Sequence, residues 1–169
     1  MAIVVTRQPG PPRKRHCSKR EPTPHDRLVA RAARWLRGTA RCSIVITELV
    51  AVTDTGEIPD AIGWSQGCSI LVECKASRAD FLRDRHKPFR LRPESGMGLW
   101  RFILCPPEVV RVDDLDPGWG LLYAMPRIVR SVHGVPRGNI WGRPPFQGRT
   151  HYHSEIRLLC SALRRSGAA

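Results

Sequence analysis

The chain is short of acidic residues and of long apolar runs, and each shortage narrows what it can be. No stretch of about 18 apolar residues occurs, so no segment reads as a hydrophobic membrane span. The first residues lack the apolar core and small-residue cleavage site of a secretory signal, and a cytoplasmic protein is expected. There is no Cys-x-x-Cys pair. Cys17, Cys42, Cys68, Cys74, Cys105 and Cys160 are scattered, several in apolar, strand-like surroundings. Reduced and buried thiols are therefore expected, with neither a disulfide framework nor a zinc finger. No internal repeat is visible. The deficit of acid is the largest departure: 15 Asp and Glu face 28 Lys and Arg, for a net charge of +13. A polyanion is the natural partner of such a chain, and nucleic acid is the commonest one. The competing explanation is solubility alone. A membrane surface is less well supported, because no basic amphipathic helix of useful length stands out.

At 169 residues, 41% of them hydrophobic, the chain can bury a real core. Residues 1–24 carry prolines at 9, 11, 12, 22 and 24 between Arg7, Arg13, Lys14, Arg15, Lys19 and Arg20. This composition predicts a flexible basic arm that either touches a phosphate backbone or is a solvated tail. Residues 25–169 read as one domain. Leu28, Val29, Ala32, Ala33 and Leu36 recur at helical spacing, with Pro24 and Asp26 as a start and Gly38 as a stop. Residues 44–51 and 58–64 read as a hairpin around the turn Asp54-Thr55-Gly56, and 69–76 as a third strand. A helix over 77–83 with Ser77 as its cap follows, then a polar basic loop and a strand over 100–105. Two further strands (119–124 and 127–132), a Gly/Pro-rich stretch over 134–148 and a closing helix over 152–165 complete the pattern. It predicts an α/β fold of three layers, with a central mixed sheet flanked by helices.

The chemistry concentrates in Ile58-Pro59-Asp60-Ala61 and Leu71-Val72-Glu73-Cys74-Lys75. Strand side chains alternate, so Glu73 and Lys75 point one way while Val72 and Cys74 point into the opposite layer. A hairpin centred on Thr55 sets Val50 opposite Asp60 and Glu48 opposite Ile62, which leaves Glu48 and Asp60 on one face. Three acids and a lysine can then converge, a costly arrangement to bury unless a cation neutralises the acids. Carboxylate oxygens suit Mg²⁺ or Mn²⁺, with Asp60, Glu73 and Glu48 as ligands and the Cys74 carbonyl completing the shell. Lys75 would hold an attacking water or the phosphate. The alternative is that Asp60 caps the hairpin and Glu73 pairs with Lys75 at an exposed edge; the apolar neighbours argue against an exposed strand.

Pro59-Asp60 followed by Glu73-Cys74-Lys75 resembles the PD-(D/E)xK nuclease superfamily, whose restriction-endonuclease-like core is a helix, a three-strand meander, a helix and a further strand. The run from Val72 through Ala76-Ser77-Arg78-Ala79-Asp80-Phe81-Leu82-Arg83-Asp84 resembles a narrower branch, the MmcB-like DNA-repair nucleases of bacteria and phages. Gly96-Met97-Gly98, Arg101 to Pro106 and Gly118 to Leu122 resemble the same branch, and the likeness spans 26–132. It implies Asp60 and Glu73 as metal ligands, Lys75 as the catalytic lysine, and a Mg²⁺-dependent DNA endonuclease or nickase of a bacterial or phage-infected cell. DNA is the implied partner, with RNA and a homodimer or a recruited nuclease subunit left open. Many relatives add a glutamate from the first helix, where this chain offers only Asp26; Glu48 is the preferred substitute, ahead of Glu57. A catalytically silent DNA-binding subunit of the same fold is the rival reading.

Ser77 and Asp80 are candidates to orient Lys75 or a metal-bound water, or else a plain helix cap. Lys87 and Arg90 in the loop, Arg78 and Arg85 at the helix before it, and Arg101 on the next strand are the candidate phosphate contacts. His133, His151 and His153 lack the spacing of a transition-metal site. Trp141, Phe146 and Tyr152, interleaved with Arg137, Arg143 and Arg149, form either a base-stacking surface or the cover of one core edge.

Overall fold

The computed structural model describes residues 21–65 and 67–166. Most of the expected basic arm, residues 1–20, lies outside the described residues.

Helix α1 (Pro24–Gly38) starts where the sequence signals place it. Thr23 caps it: its hydroxyl accepts from the Asp26 amide at 3.1 Å, and the Asp26 carboxylate accepts from the Thr23 amide at 2.8 Å. This reciprocal cap satisfies amides that a helix start otherwise leaves open. Asp26 is thereby committed to the helix end. The apolar stripe Leu28, Val29, Ala32, Trp35 and Leu36 is buried against one face of a six-stranded sheet.

The strands are β1 (Ile44–Thr47), β2 (Ala61–Ser65), β3 (Cys68–Cys74), β4 (Trp100–Cys105), β5 (Trp119–Ala124) and β6 (Val129–His133). They lie side by side in chain order. The pairs β1–β2, β2–β3 and β5–β6 are antiparallel, whereas β3–β4 and β4–β5 are parallel. Parallel neighbours need a long crossover, and the one between β3 and β4 carries α2 (Arg78–Asp84) and α3 (Pro88–Leu91). The closing helix α4 (Tyr152–Ser166) packs through Leu158 on the face opposite α1, together with Phe81 of α2 and Phe146. The fold is α/β, with a central mixed sheet between helical layers. Among the described residues no helix is long and apolar enough to cross a membrane.

Strand β3 is buried along all seven residues. Ile70, Val72 and Cys74 face α1, while Leu71 and Phe81 share the second core. Cys42, Cys68, Cys74 and Cys105 are free and buried. Burial lifts the Cys42 thiol to about 12, since a thiolate there would be desolvated.

The hairpin differs from expectation. β1 ends at Thr47 because Glu48 turns into the left-handed region (φ +45°), and β2 begins only at Ala61. The pairing runs Thr47 to Ala61, which sets Glu48 beside Asp60 in place of the expected Val50. A register shift of two residues leaves every side chain on its face. The positive φ costs Glu48 about 1 kcal/mol, and it is held by the Glu48 amide donating to the carbonyls of Pro59 and Asp60, each at 3.2 Å. The loop after α2, expected to be irregular, contains the short helix α3, whose start is favoured by Pro88 in its first turn.

Candidate active site

Asp60 immediately precedes β2, Glu73 lies near the end of β3 and Lys75 follows that strand. Because Ala61 pairs with Val72, continuation of the register brings Asp60 to Glu73. The Cys74 amide donates to Asp60 Oδ2 at 2.7 Å, tying the two strands at the acidic pair. Burial, and then the charge of Glu73, push the Asp60 carboxyl up to about 6. Two carboxylates forced together in a poorly solvated place favour a proton or a cation between them.

Lys75 is buried and tightly held. Its Nζ lies 3.2 Å from Glu73 Oε2 and 3.1 Å from Asp84 Oδ1. Burial alone would lower its pKa, but Glu73 and Asp84 outweigh it and raise it, so Lys75 is an ammonium at neutral pH. Asp84, at the end of α2, also takes Lys87 Nζ at 2.7 Å and Arg90 Nε at 2.7 Å. Its carboxyl is held far below the ordinary range by Arg90 and Lys75, against the opposing effect of burial.

Two sequence-expected phosphate contacts are corrected here. Arg90 is an internal cation: its side chain is 4% exposed, with Nη2 3.1 Å from Glu73 and Nη1 3.6 Å from Glu57. It also lies 4.4 Å over the Trp119 ring. Arg101 is more deeply buried and donates to the carbonyls of Gly98, Pro93, Gly96 and Arg149 at 2.7–3.1 Å. It braces the 93–98 loop, and with no open face it cannot reach a phosphate backbone. Of the other three candidates, Lys87 is half exposed on the site's rim. Arg78 is engaged with Asp114, and Arg85 lies 3.4 Å from Asp116, both at the surface.

The acids sort differently from expectation. Glu48 is at the surface, 3.3 Å from His25 Nε2, and the same nitrogen lies 3.6 Å from Asp60 Oδ1. Glu57, expected at the turn, is buried: its Oε2 accepts from the Met97 amide at 2.6 Å, and desolvation pushes its carboxyl up to about 7. Glu57 therefore belongs to the internal cluster around Arg90, and Glu48 to the outer pair with His25. Ser77 caps α2 by accepting from the Asp80 amide at 3.2 Å, and Asp80 lies 3.7 Å from Arg83, so both serve the helix.

His25 and Asp84 were not singled out from the sequence, yet each carried a signal. His25 precedes Leu28, Val29 and Ala32 at the spacing of the buried stripe. Asp84 follows the buried Phe81 by one helical turn, an acid on an apolar face. Two of the aromatic candidates are core and one is not: Trp141 packs edge-on to Trp35 and Trp100, Phe146 lies beneath Arg101, and Tyr152 is exposed at the start of α4. His151 bonds Ser154 at 2.9 Å at the start of α4.

A hard cation fits this donor set in one form. Mg²⁺ is commonly bound by one or two carboxylates and keeps waters that give way to substrate oxygens. Asp60 and Glu73 meet that requirement, and the raised Asp60 pKa marks the charge that a cation would relieve. The Cys74 thiol is not a ligand, since burial and then Asp60 and Glu73 raise its pKa well above the ordinary value. Among the described residues no group of three or more His, Cys, Asp or Glu side chains is arranged to hold a metal, so an all-protein cage does not fit.

No family model and no curated protein matches the chain. A solved structure does: the SPO1766 protein of unknown function from Silicibacter pomeroyi, 26% identical, with a TM-score of 0.58 over 86% of this chain and 90% of that one. The likeness supports the fold.

Proposed function

We propose that this protein is a Mg²⁺- or Mn²⁺-dependent DNA endonuclease or nickase of the PD-(D/E)xK, restriction-endonuclease-like class. It would act in DNA repair, recombination or phage DNA processing in the cytoplasm of a bacterial or phage-infected cell. The observation that carries the reading is the meeting of Asp60 with Glu73 across β2 and β3, beside the ammonium of Lys75. Asp60 and Glu73 would hold the cation, with the Cys74 carbonyl as a third oxygen. When bound, the cation supplies charge neutralisation and lowers the pKa of a water.

The chain's own residues supply the rest. Lys75, kept protonated by Glu73 and Asp84, donates to a phosphate oxygen or orients the attacking water; as an ammonium it is no general base. Asp84 fixes the Lys75 ammonium in place, and Arg90 balances the excess of buried acid. The new bond joins water oxygen to phosphorus as the P–O bond to the leaving oxygen breaks; the attacking water gives up a proton to solvent and the leaving oxygen takes one from solvent, giving a terminal phosphate monoester and a hydroxyl. Lys87 on the rim, with Arg78 and Arg85, suits the strand's backbone. The net charge of +13 supports DNA as the partner.

The second reading, a silent DNA-binding subunit, is favoured by one observation. Glu73 is already paired with both Lys75 and Arg90, so the buried charges are largely balanced without a metal. Nicking of supercoiled plasmid in Mn²⁺ separates the two. Wild type should nick, and Asp60→Ala and Lys75→Ala should each lose at least about a hundredfold in rate, as expected for groups that stabilise transition-state charge. Equal rates for all three proteins would remove catalysis from this site. DNA binding without nicking by wild type would establish the silent subunit.

A further inference from the structure

A cavity of about 820 Å³ has Arg90 in its wall, and the same side chain reaches the acidic cluster. That size falls within the range of roughly 300–1,000 Å³ typical of small-ligand sites. Its walls combine two kinds of chemistry. Leu82, Leu91 and Trp119 supply apolar surface; Arg85 and Arg149 supply positive charge, while Arg90 behind them is taken up by Glu57, Glu73 and Asp84. Leu91 is 69% exposed and Leu82 44%, an apolar lip left in water beside basic side chains. Asp116 on the same wall lies 3.4 Å from Arg85, adding a hydrogen-bond acceptor without cancelling the surplus of arginine.

Arg90 joins this cavity to the catalytic cluster. Its guanidinium lies over Trp119 on one side and reaches Glu73 at 3.1 Å on the other. Whatever enters the cavity therefore lies one side chain from the residues that would cut. A duplex backbone alone would satisfy the arginines and leave the leucines wet. A free base would use the leucines and ignore the arginines. A nucleotide swung out of its strand uses both, with its base against the apolar wall and its phosphates on the arginines.

Resting on the nuclease reading, we infer that this cavity receives one unpaired nucleotide of the DNA substrate, making strands with a bulge, gap or flap the preferred class. The test is binding, measured by fluorescence anisotropy in EDTA with the full chain. Three labelled duplexes are compared: fully paired, carrying one unpaired nucleotide, and carrying an abasic residue in its place. Wild type should bind the unpaired-nucleotide duplex about tenfold more tightly than either control, within the range expected for burying one base. Leu91→Glu, at an exposed position, should reduce that preference to about twofold or less; the added charge weakens both duplexes, so the ratio of the two affinities is what is read. Equal binding of the three duplexes by wild type overturns the inference, as does an undiminished preference in Leu91→Glu. Displacement of the unpaired-nucleotide duplex by an equimolar free deoxynucleoside monophosphate also overturns it, assigning the cavity to a free nucleotide. EDTA makes the result independent of cleavage. A protein that shows the preference but never nicks refutes the nuclease reading alone, and one that nicks without the preference refutes the cavity alone.

Discussion

Lys75 Nζ lies 3.1 Å from Asp84 Oδ1, so the ammonium at the end of β3 is held by a carboxylate from the helix that follows it. The same Asp84 receives Arg90 Nε at 2.7 Å. One acid thus anchors both buried cations of the site, and its loss should be felt in folding before it is felt in chemistry.

Asp84→Asn should lower unfolding free energy by about 3 kcal/mol, the scale of breaking a buried ion pair while its partner stays buried. Urea denaturation checks this. A change below about 1 kcal/mol, the scale of an exposed pair, would mean that Lys75 and Arg90 do not depend on Asp84.

Glu57 predicts a pH dependence. Burial pushes its carboxyl up to about 7, so the folded chain binds this proton more tightly than the unfolded chain. The stability it contributes is full below the ordinary carboxylate range and is lost as pH rises through about 7. For this group the loss is on the order of 3 kcal/mol. Thermal unfolding of wild type should therefore worsen more steeply between pH 5 and pH 8 (about the window of this titration) than that of Glu57→Gln, which cannot titrate. Parallel pH profiles would show that Glu57 ionises freely.

Lys87 and Arg101 should part company on DNA. Lys87→Ala should reduce the salt slope of binding by about one, the signature of one lost phosphate contact. Arg101→Met should leave the slope unchanged and cost about 3 kcal/mol of stability, because several carbonyls lose their donor. A flattened slope in Arg101→Met that still folds would return Arg101 to the interface.

Deleting residues 1–20, which keeps the Thr23 cap of α1, should weaken DNA affinity and flatten its salt dependence, as the loss of phosphate contacts would. An unchanged slope would make the arm a solvated tail.

Manganese binding, followed by calorimetry, should weaken as pH falls through about 6, where Asp60 takes up a proton. Asp60→Asn should bind the ion poorly at every pH tested. Equal binding by Asp60→Asn and wild type would exclude Asp60 as a ligand.

Much of this arrangement was legible in the residues. Alternation in a strand puts Glu73 and Lys75 on one face wherever the strand ends, and an apolar run such as β3 has to be buried. The three-layer order followed from where apolar periodicity changes from two to near four. The hairpin register was not legible, because it depends on where Glu48 leaves the strand, and no turn signature marks that residue. Arg90 and Arg101 were misread for a physical reason. An arginine in a polar loop looks solvated until the fold brings carboxylates or carbonyls around it from distant segments. Glu57 was hidden in the same way, by a partner forty residues further on at Met97.

The parallel run of β3, β4 and β5 has a consequence for how such a molecule could diversify. The paired acids and the lysine are seated on β2, β3 and the turn into α2. The cavity walls come from α2, α3 and the segments around Trp119 and Arg149. The two share α2, which carries Asp84 as well as Leu82, and α3, which carries Arg90 as well as Leu91. The stretch around Arg149 stands apart from those charges. On the proposed function, exchanging it would change the molecule's selectivity while leaving its reactive charges where the strands put them.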